Sequence, residues 1–201
     1  MINDPIYNAE ISAGSLMLRE GRIIAGLLLD RADENAWYQA IIVKNVLQKN
    51  TPATAKRQTA LMRKRLELMT PDLWKLVTKG QSDVALQSLL ACAIKHSRLL
   101  GDFMFKVLRR HYKEFNKQVL PREWDAFLVE CEHIDPTVKS WSENTRNKLG
   151  QVVYRILAEA RYLDNTRSLK IQPVSVIPEV RRYLLDYNED YVLKCMEVAH
   201  E

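Results

Sequence analysis

Apolar residues recur at three- and four-residue steps along almost the whole chain, and this spacing constrains the fold most strongly. The stretch from Arg98 to Phe115 is the clearest case, with apolar side chains at positions 100, 103, 104, 107, 108, 112 and 115. Such a stripe is typical of the buried face of an amphipathic helix. The 201 residues include only 6 Gly and 7 Pro, too few for a sheet protein with many tight turns. The sequence therefore predicts an all-α fold, a compact multi-helix bundle.

Pro, Asn, Asp and Gly residues between these stripes predict where the helices begin and end. Longer helices are expected at roughly 15–30, 37–47, 51–69, 82–95, 98–115, 142–163, 178–187 and 189–199, and shorter ones after 70, 121 and 136. The alternation in segment 168–174 predicts one short β-wing. We expect a single helical domain over residues 1–201, with two lobes, 1–118 and 119–201, as the alternative.

The distribution of charge is uneven. The chain has 30 Lys and Arg against 25 Asp and Glu, a formal charge of +5, which suits an anionic partner. Between Glu34 and Glu67 no acidic residue occurs. The cations in this acid-free window are Lys44, Lys49, Lys56, Arg57, Arg63, Lys64 and Arg65.

The acid-free window coincides with a helix–turn–helix pattern, whose second helix has Thr51 as its cap and Pro52 in its first turn. Its first turns contain free backbone N–H groups, the Thr54 hydroxyl and the cations Lys56 and Arg57. Such groups bind phosphates and base edges when a helix enters a major groove. A solvated basic face, or a hairpin of a helical bundle, explains the same pattern, because short helix–turn–helix patterns are common.

Two further basic stretches lie outside this window. One runs from Lys106 to Lys117 and includes Tyr112 and Phe115, and aromatic residues among cations can stack on unpaired bases. The register of both aromatic residues with Leu108 favours a place in the core instead. The other stretch follows the predicted helix cap at Ser142 and adds the cations Arg146 and Lys148 to the candidate set.

Sequence signatures of enzymes are missing. The chain has no GxGxxG, GxxxxGK[ST], GxSxG or HExxH motif. The pairs Cys92/His96 and Cys131/His133 lack the paired spacing of a structural zinc site, and we expect the thiols to be reduced core residues. The sequence therefore predicts no catalytic residue, no metal site and no cofactor.

No apolar run approaches the roughly 20 residues that span a bilayer. The first residues also lack the basic segment and apolar stretch of a secretory signal. The expected location is the cytoplasm, without membrane contact.

Several segments resemble the BrxA family, over nearly the full length of the chain. They are YNAEISAGSLML at 7–18, IIAGLLL at 23–29, TPATAKR at 51–57 and LLACAIKHSRLLGDF at 89–103. The sequence departs from the family pattern at Gly21, where we expect a small hydroxyl residue. The resemblance implies a small accessory component of BREX bacteriophage-exclusion systems, without its own active site. It also implies a helical fold like that of NusB and binding to double-stranded DNA.

Two functional hypotheses follow. The first is a non-enzymatic accessory protein of phage defence that binds double-stranded DNA through its basic helical segments. The alternative is a protein–protein adaptor that assembles the defence complex with other BREX subunits and does not bind DNA itself. The candidate DNA-binding residues are Lys44, Lys49, Thr54, Lys56, Arg57, Arg63, Lys64, Arg65, Arg146 and Lys148.

Overall fold

A computed structural model describes residues 5–199, so positions 1–4 and 200–201 of the predicted domain lie outside the described residues. The α-helices follow one another along the chain with short connections. They are α1 Leu18–Leu29, α2 Glu34–Tyr38, α3 Pro52–Glu67, α4 Pro71–Lys79, α5 Ser82–His96, α6 Arg98–Asp102, α7 Arg109–Lys113, α8 Pro121–Ile134, α9 Glu143–Glu159, α10 Pro178–Asp186 and α11 Asp190–Met196. Two 3₁₀-helices, Glu10–Ala13 and Pro136–Ser140, complete the order together with π-helical segments at Gln39–Val43 and Phe103–Leu108. This architecture confirms the all-α class.

Side-chain caps begin α3 and α9 at the residues where the sequence predicts them. The Thr51 side-chain oxygen accepts a hydrogen bond from the N–H of Thr54 at 3.2 Å, with Pro52 in the first turn of α3. The Ser142 hydroxyl oxygen accepts in the same way from the N–H of Thr145, also at 3.2 Å. These bonds satisfy N–H groups that have no partner within the helix, which explains why short local signals located both starts.

The predicted β-wing at 168–174 is wrong. Within residues 5–199 no sheet forms, and this segment contributes only isolated bridges, Gln118 to Lys170 and Leu163 to Ile171. Leu169 has a positive φ of 49°, which interrupts an extended run, and the Asp164 carboxylate accepts from the N–H of Lys170 at 2.9 Å. These local bonds favour a turn over a strand.

The hydrophobic core is one continuous cluster that draws on both predicted lobes. The Phe103 ring lies 5.5 Å from Trp124, 5.3 Å from Phe127 and 6.0 Å from Tyr154, measured between ring centroids. These contacts join the π-helical segment to α8 and α9, across position 118. We therefore keep the single helical domain as our proposal.

Gly21 permits a close approach of α1 to α5. A Cβ at this position would lie 2.8 Å from Cδ2 of Leu89, a distance that requires the Leu89 side chain to shift. The small residue at position 21 therefore suits the packing between the two helices.

Buried Asp102 joins three distant parts of the chain. Its carboxylate accepts hydrogen bonds from the hydroxyl of Tyr7 at 2.8 Å, the hydroxyl of Tyr191 at 2.8 Å and Nε of Arg98 at 2.9 Å. The Arg98 guanidinium also lies over the Tyr191 ring, 4.2 Å from its centroid. A buried carboxylate is costly without such partners. This cluster therefore fixes the N-terminal segment and α11 against α6.

We predict opposite effects for alanine at two glycines. Gly101 approaches this cluster, and a Cβ there would lie 2.3 Å from the hydroxyl oxygen of Tyr191. Gly101→Ala should therefore lower the free energy of unfolding by about 1–3 kcal/mol. At Gly26 in α1 a Cβ meets nothing within 4 Å, so Gly26→Ala should raise the free energy of unfolding by about 0.5–1 kcal/mol. Urea denaturation measures both, and a Gly101→Ala variant as stable as the parent would contradict the packing described.

Candidate nucleic-acid interface

The exposed face of α3 carries four cations. Positions 53, 56, 57, 60, 63, 64 and 67 are exposed and follow helical spacing, whereas positions 55, 61, 62, 65 and 66 are buried. We call the four cations on the exposed side the α3 row, which consists of Lys56, Arg57, Arg63 and Lys64. Ala60 separates its two pairs, whose starts are seven residues, or about 10 Å, apart along the helix.

The two pairs of the α3 row differ electrostatically. In the C-terminal pair, Nε of Arg63 lies 2.6 Å from Glu67, and Nζ of Lys64 lies 3.1 Å from Glu10. The Arg63 guanidinium also lies over the Trp37 ring, 5.0 Å from its centroid. In the N-terminal pair, neither Lys56 nor Arg57 has an ion pair with any carboxylate in the described part of the chain. The uncompensated charge of the α3 row is therefore near the start of α3.

The candidate residues before and at the start of α3 have different environments. Lys44 is exposed, but Lys49 is largely covered and forms an ion pair with Glu20 of α1. Thr54 is half-buried, and its hydroxyl oxygen accepts a hydrogen bond from the Thr51 hydroxyl at 2.9 Å. Residues 44–51 connect the π-helical segment to α3, which makes this connection longer than the three- to four-residue turn of DNA-binding helix–turn–helix motifs.

Arg65 points into the protein and is only 1% exposed. Its guanidinium donates to the carbonyl oxygens of Ser15 at 2.6 Å and Gly14 at 3.0 Å, and burial lowers its pKa to about 10. The next N–H, that of Leu16, donates to Oε2 of Glu159 at 2.9 Å. Arg65 therefore binds the N-terminal segment and cannot reach a DNA surface, so we remove it from the candidate set. Its register with Met62 and Met69 was the sequence signal for this burial.

Arg146 and Lys148 lie near the start of α9. Arg146 is partly buried and donates to Glu132 at 2.6 Å and to the carbonyl oxygen of Val138 at 3.1 Å, whereas Lys148 is exposed. Arg146 is thirteen residues, or about 20 Å of helix, from Glu159 at the other end of α9. Glu159 is the α9 residue that contacts the segment bound by Arg65, so Arg146 and Lys148 lie at the opposite end of α9 from that contact.

The three thiol groups are buried. Cys92, Cys131 and Cys195 are free cysteines inside the core, where burial raises each thiol pKa to about 12. His96, four residues after Cys92, lies 3.1 Å from Oε2 of Glu10. Over residues 5–199 no three His, Cys, Asp or Glu side chains come together as a metal site would require. No helix in that range has the length and apolar character needed to cross a bilayer.

Two exposed aromatic residues were not identified as surface features from the sequence. Tyr38, in α2, is 54% exposed. Phe115 is 90% exposed, so its predicted place in the core is wrong. The helical stripe ends with α7 at Lys113, and Phe115 has a φ of 56° that turns its side chain out of register. Tyr112, by contrast, is half-buried and donates its hydroxyl to the carbonyl oxygen of Gln172.

Comparison with known proteins identifies relatives along the whole chain. The family model described as BrxA matches residues 5–188. A relative from Paramagnetospirillum magneticum, "BREX protein BrxA", is 46% identical over 196 residues, which cover 98% of each chain. A protein of the same description from Escherichia coli O9:H4 is 31% identical, over 97% of this chain and 92% of that protein.

A solved structure is also similar. It is described as the crystal structure of an uncharacterized protein from Magnetospirillum magneticum and superposes with a TM-score of 0.88. The two chains are 46% identical, and the match covers 96% of this chain and all of the other.

We predict that Arg65 contributes to stability. Arg65→Met removes both donors from the Gly14 and Ser15 carbonyls and should lower the free energy of unfolding by about 2–4 kcal/mol. The matched control Arg57→Met changes an exposed residue of the same helix. It should shift the free energy of unfolding by no more than about 0.5 kcal/mol. Urea denaturation compares them. Equal stability of Arg65→Met and the parent protein would contradict the structural role of Arg65.

Proposed function

Because the chain belongs to the BrxA family, we propose that this BREX component is a non-enzymatic accessory protein that binds double-stranded DNA. The proposed contact surface is the α3 row together with Lys44. The observation that carries the proposal is the exposed pair Lys56 and Arg57, whose charges have no internal carboxylate partner in the described residues. The acid-free window from Glu34 to Glu67 supports it, since no carboxylate of that window repels a phosphate.

The shape of the α3 face suits a phosphate backbone. Ala53 and Ala60 are exposed beside the cations, and their small side chains leave room for close approach. Lysine and arginine contacts to phosphates release condensed counterions, which gives affinity without reading sequence. We therefore propose binding that depends steeply on salt and weakly on DNA sequence.

The two pairs of the α3 row have separate roles in this proposal. Lys56 and Arg57 bind phosphate without first breaking an ion pair. Arg63 and Lys64 must exchange Glu67 and Glu10 for phosphate, so they contribute less net free energy. Lys49, held by Glu20, contributes least of the candidate residues in this region.

The environment of the thiols supports a non-enzymatic role. The thiolate is the reactive form of cysteine, and a pKa near 12 keeps all three thiols protonated at neutral pH. Chemistry on DNA then belongs to other subunits of the system, with which this chain would associate in the cytoplasm.

The adaptor function is a second candidate, and exposed apolar residues beside exposed acids on α8 and α10 favour it. Val129 and Ile134 of α8 are both about half exposed, beside the exposed acid Glu130. Leu185, near the end of α10, is exposed next to Asp186. Exposed apolar groups of this kind mark protein contacts when they form a patch. Co-purification with another BREX subunit after nuclease treatment would support the adaptor function, and failure to retain any subunit would count against it.

We predict that the double variant Lys56→Gln/Arg57→Gln binds duplex DNA about 10- to 100-fold more weakly near 0.1 M salt. The slope of log affinity against log salt should become shallower by about two units, one for each lost phosphate contact. Fluorescence anisotropy with two unrelated 20-bp duplexes at several salt concentrations measures both quantities.

The matched control is Lys79→Gln/Lys194→Gln, which removes the same charge from exposed positions on α4 and α11. It should retain the parental slope. If both double variants weaken binding equally, the effect comes from net charge and the α3 row is not the contact surface. If the parent protein binds neither duplex, the adaptor function is favoured.

A further inference from the structure

Phe115 occupies a position that usually carries glycine. The N–H of Asn116 donates to the carbonyl oxygen of His111 at 2.9 Å. The N–H of Phe115 donates to the carbonyl oxygen of Tyr112 at 3.2 Å. These bonds define a Schellman motif that ends α7, with Phe115 at the residue that adopts a left-handed conformation. Glycine is preferred there because a Cβ is strained at positive φ. An aromatic residue therefore costs stability at this site.

The ring also gains almost nothing from packing. With 90% of its surface exposed, Phe115 is the most exposed large apolar residue within positions 5–199. Strain and exposure together favour a functional reason for the side chain over a structural one.

Cations surround the Phe115 turn. Lys113 and Lys117 are exposed on either side of it in the chain, and Arg122 is exposed in the first turn of α8. The N–H of Ile171 donates to the carbonyl oxygen of Lys117 at 2.9 Å, and Gln118 pairs with Lys170 in a β-bridge. This pairing brings the exposed Lys170 next to the segment that follows the Phe115 turn.

Two open clefts flank the turn. One, of about 370 Å³, is lined by Lys106, Arg110, Lys113 and Glu114 among others. The other, of about 420 Å³, is lined by Lys117, Arg122 and Glu123 among others. In sequence, Phe115 lies between Glu114, which lines the first cleft, and Asn116, which lines the second.

The acidic residues near the turn are engaged in internal contacts. Glu123 is contacted by Nε2 of His111 at 2.7 Å and by Arg110 at 3.1 Å, and it accepts from the N–H of Leu120 at 2.7 Å. Glu114 accepts from the side-chain amide of Asn116 at 2.9 Å. In each cleft the lysines and arginines outnumber the single carboxylate, so a ligand meets net positive charge at both.

We propose that Phe115 binds an unstacked nucleobase on its ring, with the adjoining phosphates held in the two cation-lined clefts. An aromatic platform between positive grooves has the chemistry that single-stranded nucleic acid requires, since every base offers a flat face and every linkage a negative charge. An apolar peptide would not need the cations, and an acidic one would not need the ring. The site is distinct from the α3 row, because it lies at the turn between α7 and α8.

The test uses Phe115→Gly, which removes the ring and relieves the strain of the left-handed residue. Its thermal unfolding midpoint should equal or slightly exceed that of the parent protein. The probe is a fluorescein-labelled strand of 20 thymidines, compared with an abasic strand of equal length that carries the phosphates alone. The parent protein should prefer the thymidine strand, and Phe115→Gly should lose about 5- to 150-fold in affinity for it while keeping its affinity for the abasic strand.

Phe115→Tyr is the conservative control and should retain the preference for bases. Lys56→Gln/Arg57→Gln should retain it as well, so failure of the α3 proposal and failure of this one are distinguishable. A 20-bp duplex with a single-nucleotide bulge, beside the unbulged duplex, tests whether a distorted duplex also supplies the base.

If Phe115→Gly loses affinity only for the bulged duplex, Phe115 still stacks on a base, and that base comes from distorted duplex DNA. Equal affinity of the parent protein for thymidine and abasic strands, with no effect of Phe115→Gly on the bulged duplex, would overturn the proposal. Loss of binding to a poly-glutamate peptide in Phe115→Gly, with unchanged affinity for nucleic acid, would overturn it in favour of a protein partner.

Discussion

The buried guanidinium of Arg65 fixes the rotation of α3, and the surface chemistry of the protein depends on that rotation. A cation inside the core is costly without hydrogen bonds, and the carbonyl oxygens of Gly14 and Ser15 each accept one from Arg65. With Arg65 directed inward, helical spacing places Lys56, Arg57, Arg63 and Lys64 outward. Glu159 completes the arrangement by accepting from the N–H of Leu16, which ties α9 to the same segment.

The two proposed surfaces differ in the physics of binding. The α3 row offers charge graded along one helix, since Glu10 and Glu67 compensate the C-terminal pair and leave the N-terminal pair uncompensated. Such a surface suits the uniform backbone of a duplex. The Phe115 turn combines charge with an exposed ring, which a duplex with all its bases stacked cannot use. Together they would allow one small protein to distinguish intact from distorted or separated strands.

Local sequence signals predicted most of the helices but few of the side-chain environments. The helix caps at Thr51 and Ser142 depend on neighbours three residues away, and the apolar stripes on neighbours three or four residues away. Both can therefore be predicted from the sequence. The environment of Arg65 depends on Gly14 and Ser15, some fifty residues earlier, and was assigned to the surface because its charge suited the acid-free window. The wing at 168–174 failed because Asp164 and the positive φ of Leu169 favour a turn, which alternation alone does not reveal.

The outward face of α3 is the proposed contact surface for duplex DNA, and lysine footprinting tests this proposal most directly. Each lysine is acetylated in the free protein and in the complex with a 20-bp duplex, and its reactivity is read by mass spectrometry. Lys56, which is exposed and has no ion pair among the described residues, should react readily in the free protein and be protected in the complex, whereas Lys49 should react slowly in both. Unchanged reactivity of Lys56 in a complex that protects lysines elsewhere would contradict the account.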